Sequence, residues 1–220
     1  MRSILILALV ACSALPAVAG SIRGSVRVPP VPPHDAAFRP YAGRASSLPA
    51  PAQPPRGRVT DAVLFVDAIP GRSPERPAAV TSRPQLAQRG QAFEPRVVVL
   101  AAGGEVDFPN FDPIYHNVFS VSPRKRFDLG KYPRGQSRTV QFPKPGLINV
   151  FCDIHSDMSA FILVTPTAAW ARPTADGHYE LTELPAGRYH LRWWHPDFTA
   201  GEADIEVPAT SAVEFEVEFR

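Results

Sequence analysis

Residues 151–158 read Phe-Cys-Asp-Ile-His-Ser-Asp-Met and place a thiol, an imidazole and a thioether three positions apart, at Cys152, His155 and Met158. One apolar run leads into this stretch and another follows it. Two apolar runs joined by a polar loop predict neighbouring strands. We therefore expect the three side chains on one loop at the rim of a β-sheet.

These side chains form most of a copper ligand set. Two His and one Cys in a trigonal arrangement, with a weak axial Met, bind the metal in blue-copper electron-transfer centres. The loop supplies one His, and the second is best found at His116, within the earlier sequence Tyr-His-Asn-Val-Phe. A thiolate donates strongly, imidazole suits Cu(I) and Cu(II), and a thioether favours Cu(I). The sequence predicts one type 1 copper site formed by His116, Cys152, His155 and Met158.

The first 19 residues predict export. A short basic start, an apolar segment and the small-residue sequence Ala-Val-Ala before Gly20 are typical of a signal peptide cleaved after Ala19. The apolar segment is short for a bilayer, so we expect no membrane span in the mature chain. An alternative is a lipoprotein anchored at Cys12, which follows Leu-Val-Ala. Both predict a periplasmic or secreted protein.

Removal of the signal peptide leaves Cys152 as the only cysteine and Met158 as the only methionine. A single thiol in an oxidising compartment cannot form an internal disulfide. Taken alone, each residue would be an ordinary core side chain. Their coincidence in one loop with His155 favours metal binding. The other histidines lack ligand spacing and are expected at the surface: His34, His178, His190 and His195.

The chain as a whole predicts an all-β protein. Its 26 prolines exclude long uninterrupted helices. Between residues 85 and 166, short apolar segments separated by Gly and Pro predict a β-sandwich. Residues 29–57 are rich in Pro, Ala and Ser and predict a linker or loose loop. Residues 213–219 alternate apolar and Glu side chains, which predicts a strand with one wet face.

About residues 85–165, the chain resembles the cupredoxins, and it is most similar to amicyanin-like members. The shared features are the Cys-x-x-His-x-x-Met loop and the His-Asn-Val context of His116. The resemblance implies a Greek-key β-sandwich, one type 1 copper and single-electron transfer. It also implies that Asn117 bridges the ligand loops and that His155 is the exposed electron port.

The ligand loop departs from the amicyanin-like pattern in two ways. Prolines common in that loop are absent, and Asp153 and Asp157 flank His155. Carboxylates close to the site favour Cu(II), so we expect a lower reduction potential than an apolar loop would produce.

The flanking segments resemble carboxypeptidase regulatory-like, or prealbumin-type, β modules. The C-terminal match consists of Asp-Gly-His-Tyr, Leu-Pro-Ala-Gly and Tyr-His-Leu at residues 176–179, 184–187 and 189–191. The opening strands of such a module resemble residues 24–26 and 62–66. This implies a smaller Ig/prealbumin-like sandwich beside the cupredoxin domain, with Trp193 and Trp194 in its core or at the domain interface.

The predicted organisation is therefore an accessory module interrupted by the cupredoxin domain. Residues 1–19 are the signal peptide, and residues 20–70 carry the N-terminal strands of the accessory module and the Pro-rich loop. Residues 85–166 form the cupredoxin domain, and residues 167–220 complete the accessory module. Insertion is physically easy where chain ends lie close together.

The predicted function is single-electron transfer between periplasmic redox partners, such as a c-type cytochrome or a dehydrogenase or oxidase. The alternative is copper storage or delivery without redox turnover. We do not expect an enzyme, because a second copper site needs paired histidines and no His-x-His sequence occurs. We expect no nucleic acid partner.

A basic loop predicts a docking patch for an acidic redox partner. The alternative is that the loop is only a solvated face. Its basic residues are Arg124, Lys125, Arg126 and Lys131.

Overall fold

The computed structural model describes residues 19–31, 56–71 and 83–220, and these residues form an all-β protein, as predicted. Their helical structure is limited to one 3₁₀ turn, Val59–Asp61. The predicted signal peptide, Cys12, His34 and most of the predicted linker lie outside the described ranges. Nowhere in those ranges is there a helix with the length and apolar character to cross a membrane.

The strands are numbered in chain order. The first eleven are β1 (Gly20–Arg27), β2 (Val63–Val66), β3 (Ala87–Arg89), β4 (Ala92–Glu94), β5 (Val97–Ala101), β6 (Glu105–Pro109), β7 (His116–Ser122), β8 (Lys125–Tyr132), β9 (Ser137–Gln141), β10 (Gly146–Phe151) and β11 (Ser159–Thr165). The remaining six are β12 (Trp170–Ala171), β13 (His178–Leu184), β14 (Gly187–His195), β15 (Phe198–Val207), β16 (Ala212–Glu214) and β17 (Val217–Glu218).

Strands β3 to β11 form the inner unit. A five-stranded sheet has the order β5-β11-β10-β7-β8, and the β6–β9 and β3–β4 ladders lie beside it. Alternate side chains of these strands meet in one core, as the period of two along a strand requires. Phe108, Ile148 and Ile162 are fully buried there. The predicted ligands Cys152 and Met158 belong to the same core.

The chain segments on either side of the inner unit form a second core together. Strand β1 pairs with β13, β16 and β17, and β2 lies between β12 and β14, with β15 beyond. Ile22 and Leu64 from the N-terminal side meet Tyr179 and Leu191 from the C-terminal side in this core. The two ends of the chain thus share sheets, which is the arrangement that an inserted domain requires. The likeness of this outer unit to prealbumin-type modules stays a prediction.

A third cluster of apolar side chains joins the two units. Strand β2 contributes Val63 and Phe65, which meet Val97 and Val99 of β5 and Leu163 of β11. Strands β2 and β5 are buried along their whole length, because one face lies in a unit's own core and the other lies in this junction. Complete burial of one such side chain stabilises a fold by about 1.5–3 kcal/mol. The loop that carries Cys152, His155 and Met158 therefore belongs to an inner unit that packs against the outer one.

Two sequence expectations are corrected by the strands. The predicted basic loop is mostly strand β8, because Phe127 and Leu129 pack against the inner core while Arg126 and Asp128 alternate outward. The single amphipathic strand expected at residues 213–219 is two short strands, β16 and β17, both parallel to β1.

Candidate metal centre

The loop that carries three predicted ligands connects the antiparallel strands β10 and β11. The Cys152 backbone N–H donates to the Met158 carbonyl oxygen at 3.3 Å, and the Met158 N–H donates to the His155 carbonyl oxygen at 3.0 Å. These two hydrogen bonds fold the loop back on itself. The turn thus brings residues that are three positions apart in the sequence close together in space.

The structure brings His116 to the same place. His116 is the first residue of β7, and β7 pairs with β10, which ends just before Cys152. The His116 Nδ1 lies 3.1 Å from the His155 Nδ1. The Cys152 Sγ lies 4.0 Å from the His116 Nδ1 and 3.8 Å from the His155 Nδ1. Three of the four predicted ligands therefore aim their donor atoms at one point.

The separations of these donors suit a single metal ion. The point in their plane that is equidistant from the three atoms lies about 2.1 Å from each, within the roughly 2.0–2.3 Å that imidazole nitrogen and thiolate sulfur adopt toward first-row metals. An ion there would be trigonal, which is the His₂Cys geometry of type 1 copper. Met158, the fourth predicted ligand, is buried in the same core as Cys152.

The Cys152 thiol is set up to ionise. Burial by itself would raise its pKa, but the His116 side chain and the backbone N–H groups of Asn117, His155 and Ile154 outweigh burial and lower the pKa to about 6. The thiolate is the form that binds metals. At neutral pH the loop therefore presents the donor that a copper site needs.

Asn117 contacts the centre through its backbone. Its N–H group bonds to the Cys152 sulfur, which links β7 to the ligand loop. The Asn117 side chain is buried, and its Oδ1 has no hydrogen-bond partner in the part of the chain that the structure describes. The backbone of Asn117 thus connects β7 to the ligand loop, whereas its side-chain oxygen makes no such connection. The bridging role of the side chain stays a prediction.

Asp112 is a site residue that sequence reasoning missed. Its Oδ2 lies 2.8 Å from the His116 Nε2. The Gly90 and Gln91 backbone N–H groups, in the tight turn between β3 and β4, donate to the carboxylate at 2.6 and 2.8 Å. Burial raises the Asp112 pKa, but these donors and His116 outweigh it and hold the pKa below its usual range.

The carboxylate fixes the orientation of the His116 ring. An ionised carboxylate only accepts hydrogen bonds, so the His116 Nε2 carries the proton and Nδ1 keeps its lone pair toward the other donors. Carboxylates often play this part behind metal-binding histidines. The sequence signal was an Asp four residues before a predicted ligand. That signal is weak, because the supporting turn lies about twenty residues earlier in the chain.

Substitution of Asp112 tests this arrangement. We expect Asp112→Asn to weaken copper binding by about 10- to 100-fold, because the charge that raises the basicity of His116 is lost. Competition with a chelator of known affinity measures the change. Asp128→Asn is the matched control, since Asp128 is exposed on β8 and accepts from the Gly130 N–H. Equal affinities for wild type and Asp112→Asn would contradict the role.

An apolar rim lies next to the two histidines in the sequence. Four of the five exposed large apolar side chains in the described ranges precede His116 or His155 by a few residues: Phe111, Ile114, Tyr115 and Ile154, with 42%, 37%, 58% and 42% of their surfaces exposed. His155 is itself partly exposed, with Nδ1 turned to the other donors. The opposite edge of its ring therefore faces away from the donor triangle.

Only one of the four predicted docking residues lies beside the centre. Lys131 pairs in register with Asn117, and its Nζ lies 3.9 Å from the Asp153 Oδ2 of the ligand loop. Lys125 and Arg126 sit at the other end of β8.

Arg124 also lies at the far end of the inner sheet. Its side chain lies against Gly146, the first residue of β10, whereas Cys152 follows the last residue of that strand. Six residues of extended strand span about 20 Å. The basic residues that the sequence groups together are thus divided between two ends of the sheet, and a docking role for the three distant ones stays a prediction.

Of the other histidines, His178 is exposed and His190 lies between Asp204 and Glu202 on the outer unit. The expectation of a surface position is wrong for His195, which is buried. Its Nε2 bonds to the Arg58 carbonyl oxygen at 3.0 Å, and burial lowers its pKa. A buried hydrogen-bond partner from a distant segment explains the difference.

No protein-family model matches the sequence, and no curated protein matches it. Solved structures do match in part. A Cu-containing nitrite reductase from Thermus scotoductus SA-01 is 25% identical over 40% of this chain and 25% of its own, with a TM-score of 0.36. A purple cupredoxin from Nitrosopumilus maritimus is 17% identical over 37% of this chain and 99% of its own, with a TM-score of 0.35. A reduced Cu(I) form of an amicyanin variant is 20% identical over 47% of this chain and 98% of its own, with a TM-score of 0.36. The matching part thus spans a quarter of the nitrite reductase and under half of this chain.

Proposed function

We propose that this chain is an exported type 1 copper protein that carries single electrons between redox partners. The observation that supports this most is the triangle of His116 Nδ1, His155 Nδ1 and Cys152 Sγ around one point. These three residues, together with the predicted fourth ligand Met158, would hold the copper. When bound, copper would supply the Cu(I)/Cu(II) couple.

The donor set favours copper over a structural zinc ion. Structural zinc sites have four strong ligands in a tetrahedron. Here the structure brings together three strong donors, and the remaining candidate is a thioether, which is a soft and weak donor. His116 is fully buried and tied to Asp112, and Cys152 is 5% exposed. The chain thus holds these two donors in place and keeps water away from them, which suits a change of oxidation state with little rearrangement.

The surroundings of His155 favour a carrier over an enzyme. A partly exposed imidazole edge beside an apolar rim suits brief docking of another protein, and electron-transfer complexes bury little surface. Lys131 and Asp153 form an exposed charged pair beside the centre, which offers a polar contact at the edge of such a surface. We propose a c-type cytochrome, or a dehydrogenase or oxidase, as the partner, in the periplasm or outside the cell. We propose no catalytic chemistry, because the sequence has no His-x-His pair for a second copper site.

Titration of the purified mature chain with Cu(II) tests the proposal. We expect an intense thiolate-to-copper band in the red that saturates at one copper per chain, and a reversible one-electron wave in voltammetry. Tight but colourless binding would overturn electron transfer and favour copper storage or delivery. Absence of binding would overturn both.

A charged residue introduced among the exposed apolar side chains near His155 tests whether a redox partner docks there. We expect Ile154→Lys to slow electron exchange with an oxidised c-type cytochrome by about tenfold, because a charge then has to be desolvated next to His155. Stopped-flow mixing of the reduced protein with the cytochrome measures the rate. Val121→Lys is the matched control, because Val121 is also an exposed β-branched residue but lies farther along β7. Equal slowing in both variants would indicate a general charge effect.

A further inference from the structure

A groove opens where the outer unit and the inner unit diverge. Phe65 of β2 and Trp194 of β14 line it from the outer unit, and Leu147 of β10 and Leu163 of β11 line it from the inner unit. All four side chains belong to, or pack against, the apolar junction between the units. The groove is therefore a continuation of that junction, left open at one end.

The size and position of the groove are those of a small-molecule site. Its volume is about 520 Å³. Ligand sites commonly have volumes of about 300–1,000 Å³, have mostly apolar walls, and lie between domains. The Trp194 ring is held by an edge-on contact with the Phe161 ring, with 5.6 Å between their centroids. A rigid aromatic wall of this kind suits a flat apolar ligand.

The charges in the groove are unequal. Arg192 stacks near the Phe65 ring and lies 3.7 Å from Asp67, so these two charges offset each other. Glu202 lies 3.6 Å from the Arg192 guanidinium on the outer side. Arg124 lines the opposite wall and has no ion-pair partner within the described ranges. One guanidinium is thus left to attract an anion.

Arg124 is held at the groove by the backbone of β10. Its side chain lies across Gly146, where an added Cβ would come within 2.6 Å of the Arg124 Cγ. Gly146 also has a φ of 144°, which side-chain-bearing residues rarely adopt. The glycine leaves room for the arginine stem to lie against the strand. The stem of Arg124 therefore lies at the edge of the groove, and its exposed side chain is accessible to a ligand.

We propose that this groove binds a small aromatic carboxylate, with its ring against the groove wall that includes Trp194 and Leu163 and its carboxylate on Arg124. A guanidinium can pair with a carboxylate through two parallel hydrogen bonds, and such charge-assisted bonds are about twice as strong as hydrogen bonds between neutral groups. The apolar walls favour the aromatic ring of the ligand, and the positive charge of Arg124 favours its carboxylate. The site is separate from the metal centre, because Arg124 and Cys152 lie at opposite ends of β10.

Calorimetric titration of the full mature chain with 1-naphthoate tests the proposal. We expect saturable binding of one naphthoate per chain, at equal affinity with and without copper. We expect 1-naphthalenemethanol, which has the same ring and substitution position but no charge, to bind at least tenfold more weakly. Arg124→Gln should weaken naphthoate binding at least tenfold, and Lys125→Gln, the matched charge change next to it in sequence, should leave it unchanged.

A second variant tests the position of the site independently of Arg124→Gln. Ala200 is exposed and lines the groove from β15, so Ala200→Glu places a negative charge in the groove without disturbing a core. It should weaken naphthoate binding as well. The proposal is overturned if naphthoate does not bind, if it binds wild type and Arg124→Gln equally, or if the neutral alcohol binds as tightly. A copper dependence of binding would show that the carboxylate is a metal ligand and would also overturn it.

Discussion

Cys152→Ser is expected to abolish the red absorption band of the copper-loaded protein completely. The band requires a thiolate bound to copper, and a serine hydroxyl does not ionise at neutral pH. The same substitution should remove most of the stabilisation that copper confers. A metal that binds only the folded chain stabilises it by about 4 kcal/mol at a free concentration of 1,000 times its dissociation constant.

Thermal unfolding with and without Cu(II) measures this linkage. For a chain of this size about 4 kcal/mol corresponds to a rise in Tm of roughly 8–16 °C. Wild type should show the rise, and Cys152→Ser should show little of it. The copper-free chains provide the control, because Ser is nearly the same size as Cys and their Tm values should differ by only a few degrees. A red band that survives in Cys152→Ser would show that another residue supplies the sulfur or that the site is elsewhere.

Asp197→Ala is expected to destabilise the whole protein by about 3 kcal/mol, the lower end of the usual cost of breaking a buried ion pair, because Arg96 keeps a second carboxylate, Asp61, at 3.6 Å. Asp197 lies between β14 and β15 of the outer unit, and Arg96 precedes β5 of the inner unit. The guanidinium and the carboxylate meet through two hydrogen bonds of 2.6 and 2.7 Å. Only 1% of the Asp197 side chain and 12% of the Arg96 side chain are exposed.

This ion pair is part of a larger hydrogen-bond network around Asp197. The Gly57 backbone N–H and the Arg56 guanidinium also donate to Asp197, at 2.9 and 3.0 Å. Urea unfolding measures the loss of stability. Glu214→Ala is the matched control, since its pair with Arg23 is equally short at 2.7 Å but both side chains are more than half exposed. An exposed pair contributes at most about 1 kcal/mol. Equal losses of stability in the two variants would therefore contradict a special contribution of the buried Arg96–Asp197 pair.

The same carboxylate predicts a difference in acid stability. Burial raises the pKa of Asp197, but Arg96, Gly57 and Arg56 outweigh burial and hold it well below its usual range. The stabilisation is therefore complete above the unfolded value near 3.9 and is lost as the pH falls toward the lower folded value. Wild type should lose its advantage over Asp197→Asn between about pH 4 and pH 2. Both proteins keep Asp61, whose pKa burial raises and which faces the same Arg96 guanidinium.

The sequence alone determined the all-β class and the ligand loop. Both depend on patterns within a few residues: alternation along strands, proline and glycine between them, and Cys152, His155 and Met158 at steps of three. A loop between antiparallel strands can gather ligands at that spacing without help from distant segments. His116 was found because its own strand carries a recognisable context.

Only the tertiary structure decided which distant side chains support the site. Asp112 reaches His116 because the turn at Gly90 and Gln91 holds its carboxylate. The basic residues that adjoin in sequence separate because β8 is a strand, so that Lys131 lies at one end and Arg124 lies beyond the other. Such contacts depend on register and on the packing of one sheet against another. Those are properties of pairs of segments far apart in the chain, and no local pattern records them.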